Sequence, residues 1–250
     1  MGILRRFPNM KGAAYAYHEA TVSDYDAYLT AYWDLQETSA NRADSVGSNT
    51  AVEEGTVGYS AAGKFGNAAV PDGVFANRLA VTDHADISPT TSVAVSFWVK
   101  ASYLNPISFN VPMGKNLSYR FFNSGIGNAV TFEVFQSDGV YKYAIFTGQL
   151  DVGSFHHLVG IAYDGVVYLY HNGTEYTGTT YDKTIKDNAE PLWLGGDKGG
   201  NVPWDGLIEH VALWKNIGFA DTIARRAFAA ELWNGSAGLI RVGGVWVEAA

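Results

Sequence analysis

Paired carboxylates are the first residues to test for chemistry. Glycoside hydrolysis needs two of them, about 5–9 Å apart across the sugar. On one strand face that means acids two residues apart, because alternate side chains share a face. Asp24 and Asp26 have this spacing, but they lie in the N-terminal segment, outside the strand-rich body. Glu53 and Glu54 are adjacent and would point to opposite faces. Asp205 and Glu209 are four apart and can share a face, at an edge where a structural role is expected. No Glu-x-Asp-x-x-Glu run occurs, and no Gly-x-Ser-x-Gly elbow. The expectation is a protein without catalytic residues.

Metal chemistry narrows in the same way. His156 and His157 are neighbours, so on a strand one metal cannot easily take both. His84, His171 and His210 have no chelating spacing. The chain has no cysteine, which excludes disulfides, thiolate metal sites and thiol catalysis. Calcium is the better ion, since loop carboxylates, amides and carbonyls suit it. Asp72, Asp205 and Asn201 sit in glycine-flanked turns and form the candidate ligand set. The competing reading is that Asp-Gly pairs simply make turns. For a glycan, the candidate contacts are Trp204 with Asn201, in the loop Asp197–Asp205, and Tyr181 with Asp182 as a second lip. Trp204 either stacks on a sugar or covers the end of the core.

These side chains must be positioned by strands. Of 250 residues, 47% are hydrophobic, 14% aromatic and 28 are glycine, a composition that favours strands and turns over helical bundles. In Val93–Val99, Val93, Val95, Phe97 and Val99 share one face, while Ala94, Ser96 and Trp98 share the other. Val130, Phe132 and Val134 likewise oppose Thr131, Glu133 and Phe135. Asp138-Gly139, Asp164-Gly165 and Asn172-Gly173 sit between such runs as hairpin turns. Further runs are Ala31–Leu35, Arg78–Thr82, Leu117–Phe122, Leu192–Leu194 and Leu207–Lys215, giving roughly ten strands at sandwich spacing. Trp33, Trp98 and Trp214 fall in strands and are expected in the core. Ala220–Trp233 reads as a short helix, with Ile223, Ala227 and Leu232 on one face and Asn234-Gly235 as its stop.

Charge divides the chain. Lys and Arg number 17 against 25 Asp and Glu, a net charge of −8. Residues 1–29 hold three bases and three acids, and so do residues 220–250. The whole −8 therefore lies in residues 30–219. Three segments are expected: an N-terminal arm (1–29), a β-sandwich (30–219), and a helix with a C-terminal tail (220–250). An acidic chain of low charge density argues against nucleic-acid binding. No window reaches the roughly 18 apolar residues of a membrane span. Arg5, Arg6 and Lys11 are not followed by the apolar run of a signal peptide.

Several phrases now stand in order: Ala31-Tyr-Trp-Asp-Leu35, Gly63-Lys-Phe-Gly-Asn-Ala68, Leu79-Ala-Val-Thr-Asp83, Val95-Ser-Phe-Trp-Val99, Phe155-His-His-Leu-Val159, Leu169-Tyr-His-Asn-Gly173 and Trp204–Trp214. The set resembles the laminin-G/pentraxin-like branch of the concanavalin A-like lectin sandwiches, over about residues 30–235. The resemblance implies an all-β fold of two antiparallel sheets in jelly-roll topology. It also implies calcium on one rim in many members, and glycan or protein ligands. Phe155 departs from the family, which usually has Trp there, and the turn after Gly-Asn-Ala reads Pro71-Asp72-Gly73. Arg241-Val-Gly-Gly-Val-Trp246 resembles closing segments of bacteriophage virion proteins.

The expected function is that of a structural or adhesion protein on a phage virion, as capsid decoration, tail or fibre. It would be made in the bacterial cytoplasm and bind copies of itself, other virion proteins or a cell-surface glycan. Arg5, Arg6, Tyr15, Tyr17 and Trp246 are the expected assembly contacts, because Tyr, Trp and Arg concentrate at interface hot spots. A calcium-dependent lectin, soluble or on a surface, is the alternative. A glycoside hydrolase is third.

Overall fold

The computed structural model describes residues 21–124, 129–198 and 202–248. The strands in chain order are β1 (Leu29–Trp33), β2 (Ala51–Glu54), β3 (Gly58–Ser60), β4 (Ala68–Val70), β5 (Arg78–Val81) and β6 (Val93–Tyr103). Then come β7 (Phe109–Lys115), β8 (Tyr119–Ser124), β9 (Ala129–Phe135), β10 (Tyr141–Phe146), β11 (His156–Tyr163) and β12 (Val166–His171). The last are β13 (Thr174–Thr180), β14 (Leu192–Leu194), β15 (Val202–Pro203), β16 (Asp205–Lys215), helix α1 (Thr222–Trp233), β17 (Leu239–Val242) and β18 (Val245–Glu248).

Two sheets face each other. The first runs β13-β12-β11-β6-β16-β4-β3, with β1 also on β16; the second runs β10-β9-β8-β7-β14-β5-β2, with β15 on β7. The fold is therefore all-β, as expected. Its turns follow from sequence. Asp164 (φ 48°) with Gly165 (φ 73°) and Asn172 (φ 49°) with Gly173 (φ 77°) take the paired left-handed conformations of two-residue hairpin loops.

Val93, Val95, Phe97 and Val99 from the first sheet meet Val130, Phe132 and Val134 from the second in one buried core. Phe97 and Phe121 cross edge-to-face at 4.8 Å. The sheets approach closely at Gly160, where a Cβ would lie 2.4 Å from Phe132 and 2.5 Å from Phe121.

The outer face of the first sheet carries a second core. Val22, Tyr25, Trp214, Phe228 and Leu232 pack together there, with Trp246 against them. Helix α1 is capped by Asp221, which accepts from Ala224 N at 2.8 Å, and ends at Asn234 in the left-handed region. Its buried face is Ala224, Arg225, Phe228, Ala229 and Leu232. The expected face holds only at Leu232, since Ile223 points to solvent. Arg225 displaces it because its guanidinium lies over the Tyr168 ring at 3.5 Å and pairs with Glu175 at 3.0 Å.

The C-terminal tail is a hairpin, β17 to β18, turning at Gly243-Gly244. Among the described residues, eight strands lie beyond the expected ones: β2, β3, β4, β7, β13, β15, β17 and β18; β7 shifts its register on β8 between Asn110 and Met113, around Pro112. No helix among the described residues is long and apolar enough to cross a membrane.

Candidate functional site

Among the described residues, the second sheet, unlike the first, has no helix or hairpin on its outer face. Strand β9 directs Thr131 and Glu133 outward, yet both are buried. Neighbouring strands curl over them. In the β10 register Tyr143 faces Glu133 and Ile145 faces Thr131. In the β8 register Arg120 faces Glu133 and Phe122 faces Thr131. The result is a groove of about 320 Å³ with Thr131 and Glu133 as floor. Phe109 and Phe122 form one wall, Tyr141, Tyr143 and Ile145 the other. Tyr141 is 55% exposed and Tyr143 37%, and their rings lie 6.2 Å apart. Aromatic walls over a polar floor suit a ligand with apolar faces and hydroxyl edges.

An ion triad underlies the groove. Arg120 Nε donates to Glu133 and its Nη1 to Asp197, at 2.5 and 2.9 Å. Asp197 is buried. Burial pushes the Glu133 carboxyl above the usual range, and Arg120 opposes this. Gly114 makes room for the arrangement, since a Cβ there would lie 2.9 Å from Arg120 Cβ. The structure thus joins two carboxylates that are far apart in sequence. Both are tied to one guanidinium, which suits a structural clamp better than an acid–base pair.

The sequence-derived site residues fare differently. Trp204 is 0% exposed; its ring is in the main core and its Nε1 donates to Leu207 O at 3.3 Å. It cannot stack on a sugar, because the chain turns it inward just before β16. Tyr181 is corrected likewise: its ring is 9% exposed and its hydroxyl donates to Thr91 O at 3.1 Å. Asp182 is exposed, its carboxylate 3.6 Å from Lys183 Nζ. Asn201 lies outside the described residues.

Asp72 and Asp205 do come together, as an antiparallel bridge. Burial and then Asp72 raise the Asp205 carboxyl. Asp72 is already an acceptor for Val74 N at 3.0 Å and Asn77 Nδ2 at 2.9 Å. Calcium takes about six to eight oxygens. Asp72 and Asp205 supply two of the three candidate ligands within the described residues, and Asp72 also holds its own turn. Among the described residues, no three His, Asp or Glu gather as metal ligands.

His156 and His157 point to opposite sides, as expected. His156 Nδ1 meets His171 Nε2 at 2.9 Å, while His157 Nε2 meets Ser96 Oγ at 2.8 Å. Glu209 is fully buried and accepts from Lys64 N and Phe65 N at 2.7 and 3.2 Å. That fits the structural role expected of it.

Of the expected assembly contacts, Arg5, Arg6, Tyr15 and Tyr17 lie outside the described residues. Trp246 is engaged within the chain: it stacks on Trp214, and its Nε1 donates to Asp26 Oδ1 at 2.8 Å.

Two facing antiparallel sheets around a single core, one outer face roofed and the other grooved, define a lectin-like sandwich. The family model of the concanavalin A-like lectin/glucanases superfamily matches residues 72–224, more than half of the chain, and the chain belongs to that family. No curated protein sequence matches it.

Among solved structures it is similar to domain 4 of AbnA, an extracellular GH43 arabinanase from Geobacillus stearothermophilus, in complex with arabinotriose. The TM-score is 0.55 at 22% identity, covering 80% of this chain and 98% of that one. It is also similar to the binding domain of Paraclostridial Mosquitocidal Protein 1, with TM-score 0.65, 12% identity and coverage of 87% and 55%. The binding domain of botulinum neurotoxin DC in complex with SialylT gives 0.59, 12%, 77% and 49%. The chain spans about half the length of those toxin binding domains.

Proposed function

We propose that this protein is a non-catalytic glycan binder of a phage virion surface, serving as capsid decoration, tail or fibre, and that the glycan lies in the groove of the second sheet. The observation that carries the binding reading is the unroofed groove, with Tyr141 and Tyr143 exposed above Thr131 and Glu133. A sugar ring stacks an apolar face on such aromatics while its hydroxyls reach the polar floor. Neighbours of the same fold support it: AbnA domain 4 is described with arabinotriose and a neurotoxin binding domain with SialylT. The absence of catalysis is supported by the Arg120 clamp, which holds Glu133 and Asp197 together. The virion role is supported by the phage-like wording of Arg241–Trp246.

A glycan array followed by calorimetry on the best hit tests the binding. Tyr143→Ala is expected to weaken it at least about tenfold, or about 1.4 kcal/mol. Binding unchanged in both Tyr141→Ala and Tyr143→Ala would sink the groove. Immunogold labelling of purified phage particles tests the location, and unlabelled particles would sink it.

A further inference from the structure

A second cavity lies on the opposite side of the molecule, beneath the tip of the C-terminal hairpin. It measures about 380 Å³, within the usual range for small-ligand pockets. Asp34, Gln36, Phe65, His210 and Arg241 line it, and the Val242–Gly244 tip closes it. The site exists only because the hairpin docks. Arg241 N donates to Tyr32 Oη at 2.9 Å, and Tyr32 Oη meets His210 Nδ1 at 2.7 Å.

His210 is held at φ 51°, a left-handed conformation rare for a residue with a side chain. It marks a break in the β16–β6 register between Glu209 and Ala212. Bulges of this kind re-aim side chains and concentrate near functional sites. Here the bulge puts an imidazole in the cavity wall, edge-on to Phe65 at 5.3 Å.

Two lining groups have unmet needs. Asp34 is half-buried and has no cation within salt-bridge distance among the described residues; its Oδ1 accepts Gln36 N at 3.2 Å. Burial raises its carboxyl, and the nearby Glu37 adds to the rise. Arg241 Nη2 reaches Asp26 only at 3.5 Å, a long contact that leaves the guanidinium short of acceptors among the described residues; its Nε, sealed from the cavity, also finds none there.

An occupant must therefore donate to a carboxylate and accept from a guanidinium, while laying an apolar face on Phe65. A hydroxyl does both polar tasks. A free anion would be opposed by Asp34, and a bare cation by Arg241. We infer that this cavity is a second ligand site, taking a neutral polyhydroxylated ring such as one terminal sugar residue, with Asp34 and Arg241 as its polar anchors. It is separate from the groove and on the other sheet, so one chain could bridge two glycan ends. Two modest sites on one body give avidity without further contacts.

The probes are glucose, galactose, mannose and lactose, titrated into the full chain. The readout is the ¹H–¹⁵N signals of Gly243, Gly244 and the Trp246 indole. At least one sugar is expected to shift these saturably. Asp34→Asn, which keeps the volume and removes the charge, should weaken that binding at least about tenfold. Tyr143→Ala should leave it unchanged, which separates this site from the groove. Hairpin signals unmoved into the hundred-millimolar range overturn the proposal, and so do shifts that persist undiminished in a folded Asp34→Asn. If Asp34→Asn does not fold, Arg241→Met replaces it under the same criterion.

Discussion

Trp246 stacks on Trp214, with ring centroids 5.8 Å apart and planes 14° from parallel. The contact fastens the last strand of the chain to the outer face of the first sheet. It also turns Tyr32 edge-on to the same indole, at 5.7 Å. Trp246→Ala removes both ring contacts and the bond to Asp26. The expected loss is about 2–4 kcal/mol, near the lower part of the range for a large aromatic because the ring is only half-buried. Urea unfolding measures it, and a loss under about 0.5 kcal/mol would show that the hairpin adds little.

Arg120 joins Glu133 to Asp197. Arg120→Met leaves both acids in place without it, and breaking a buried pair costs about 3–5 kcal/mol. The triple variant Arg120→Met/Glu133→Gln/Asp197→Asn should recover part of that loss. Equal stability of single and triple variants would contradict the clamp.

At Gly160 the two sheets lie too close for a Cβ, which would meet Phe132 at 2.4 Å and Phe121 at 2.5 Å. Gly160→Ala must move Phe121 or Phe132, and overpacking costs about 1–3 kcal/mol. A thermal melt at or above that of the parent would show that the sheets can separate freely there.

Three buried imidazoles and the half-buried His171 make the fold acid-sensitive. Burial lowers His157 to about 3, His171 and His210 to about 4, and His156 in the same direction, from 6.5. Between those values and 6.5 the unfolded chain holds more protons, so stability falls as pH drops through that window. Glu209 runs the other way. Burial raises it from 4.5 to about 7, so its contribution is full below 4.5 and is lost as pH rises through 7. Unfolding free energy measured from pH 4 to 8 should therefore climb with pH up to about 6.5. In His157→Gln the climb should be shallower, and an unchanged slope would refute the assignment.

A chelator is expected to leave the melting temperature unchanged, because Asp72 is already occupied by Val74 N and Asn77 Nδ2. A drop on adding EDTA, reversed by calcium, would show an ion at the Asp72–Asp205 bridge.

The alternation in Val93–Val99 and Val130–Phe135 made both the strands and their inward faces readable. The Asp-Gly and Asn-Gly pairs made the hairpins readable, because few other residues tolerate two consecutive left-handed positions. Trp204 and Tyr181 misled because loop position in sequence does not report burial; both rings swing into the core at a sheet end. The groove left a faint signal. Tyr141, Tyr143 and Ile145 are large residues at alternate positions, around the small inward Ala144. Sequence did not say that no described helix or hairpin would cover this face. That depends on where the helix and C-terminal hairpin dock, which is tertiary information. The His210 bulge left no local signal at all.

Strand β1 has its place beside β16, where Leu29 pairs with Trp214. Thr30 reaches the Leu213 carbonyl across 183 positions of chain. During synthesis the early strand must therefore wait, with Trp33 and its apolar neighbours uncovered, until almost the whole sandwich has left the ribosome. Closure is late and its loop is long, so folding should be slow and dependent on what shields that strand meanwhile.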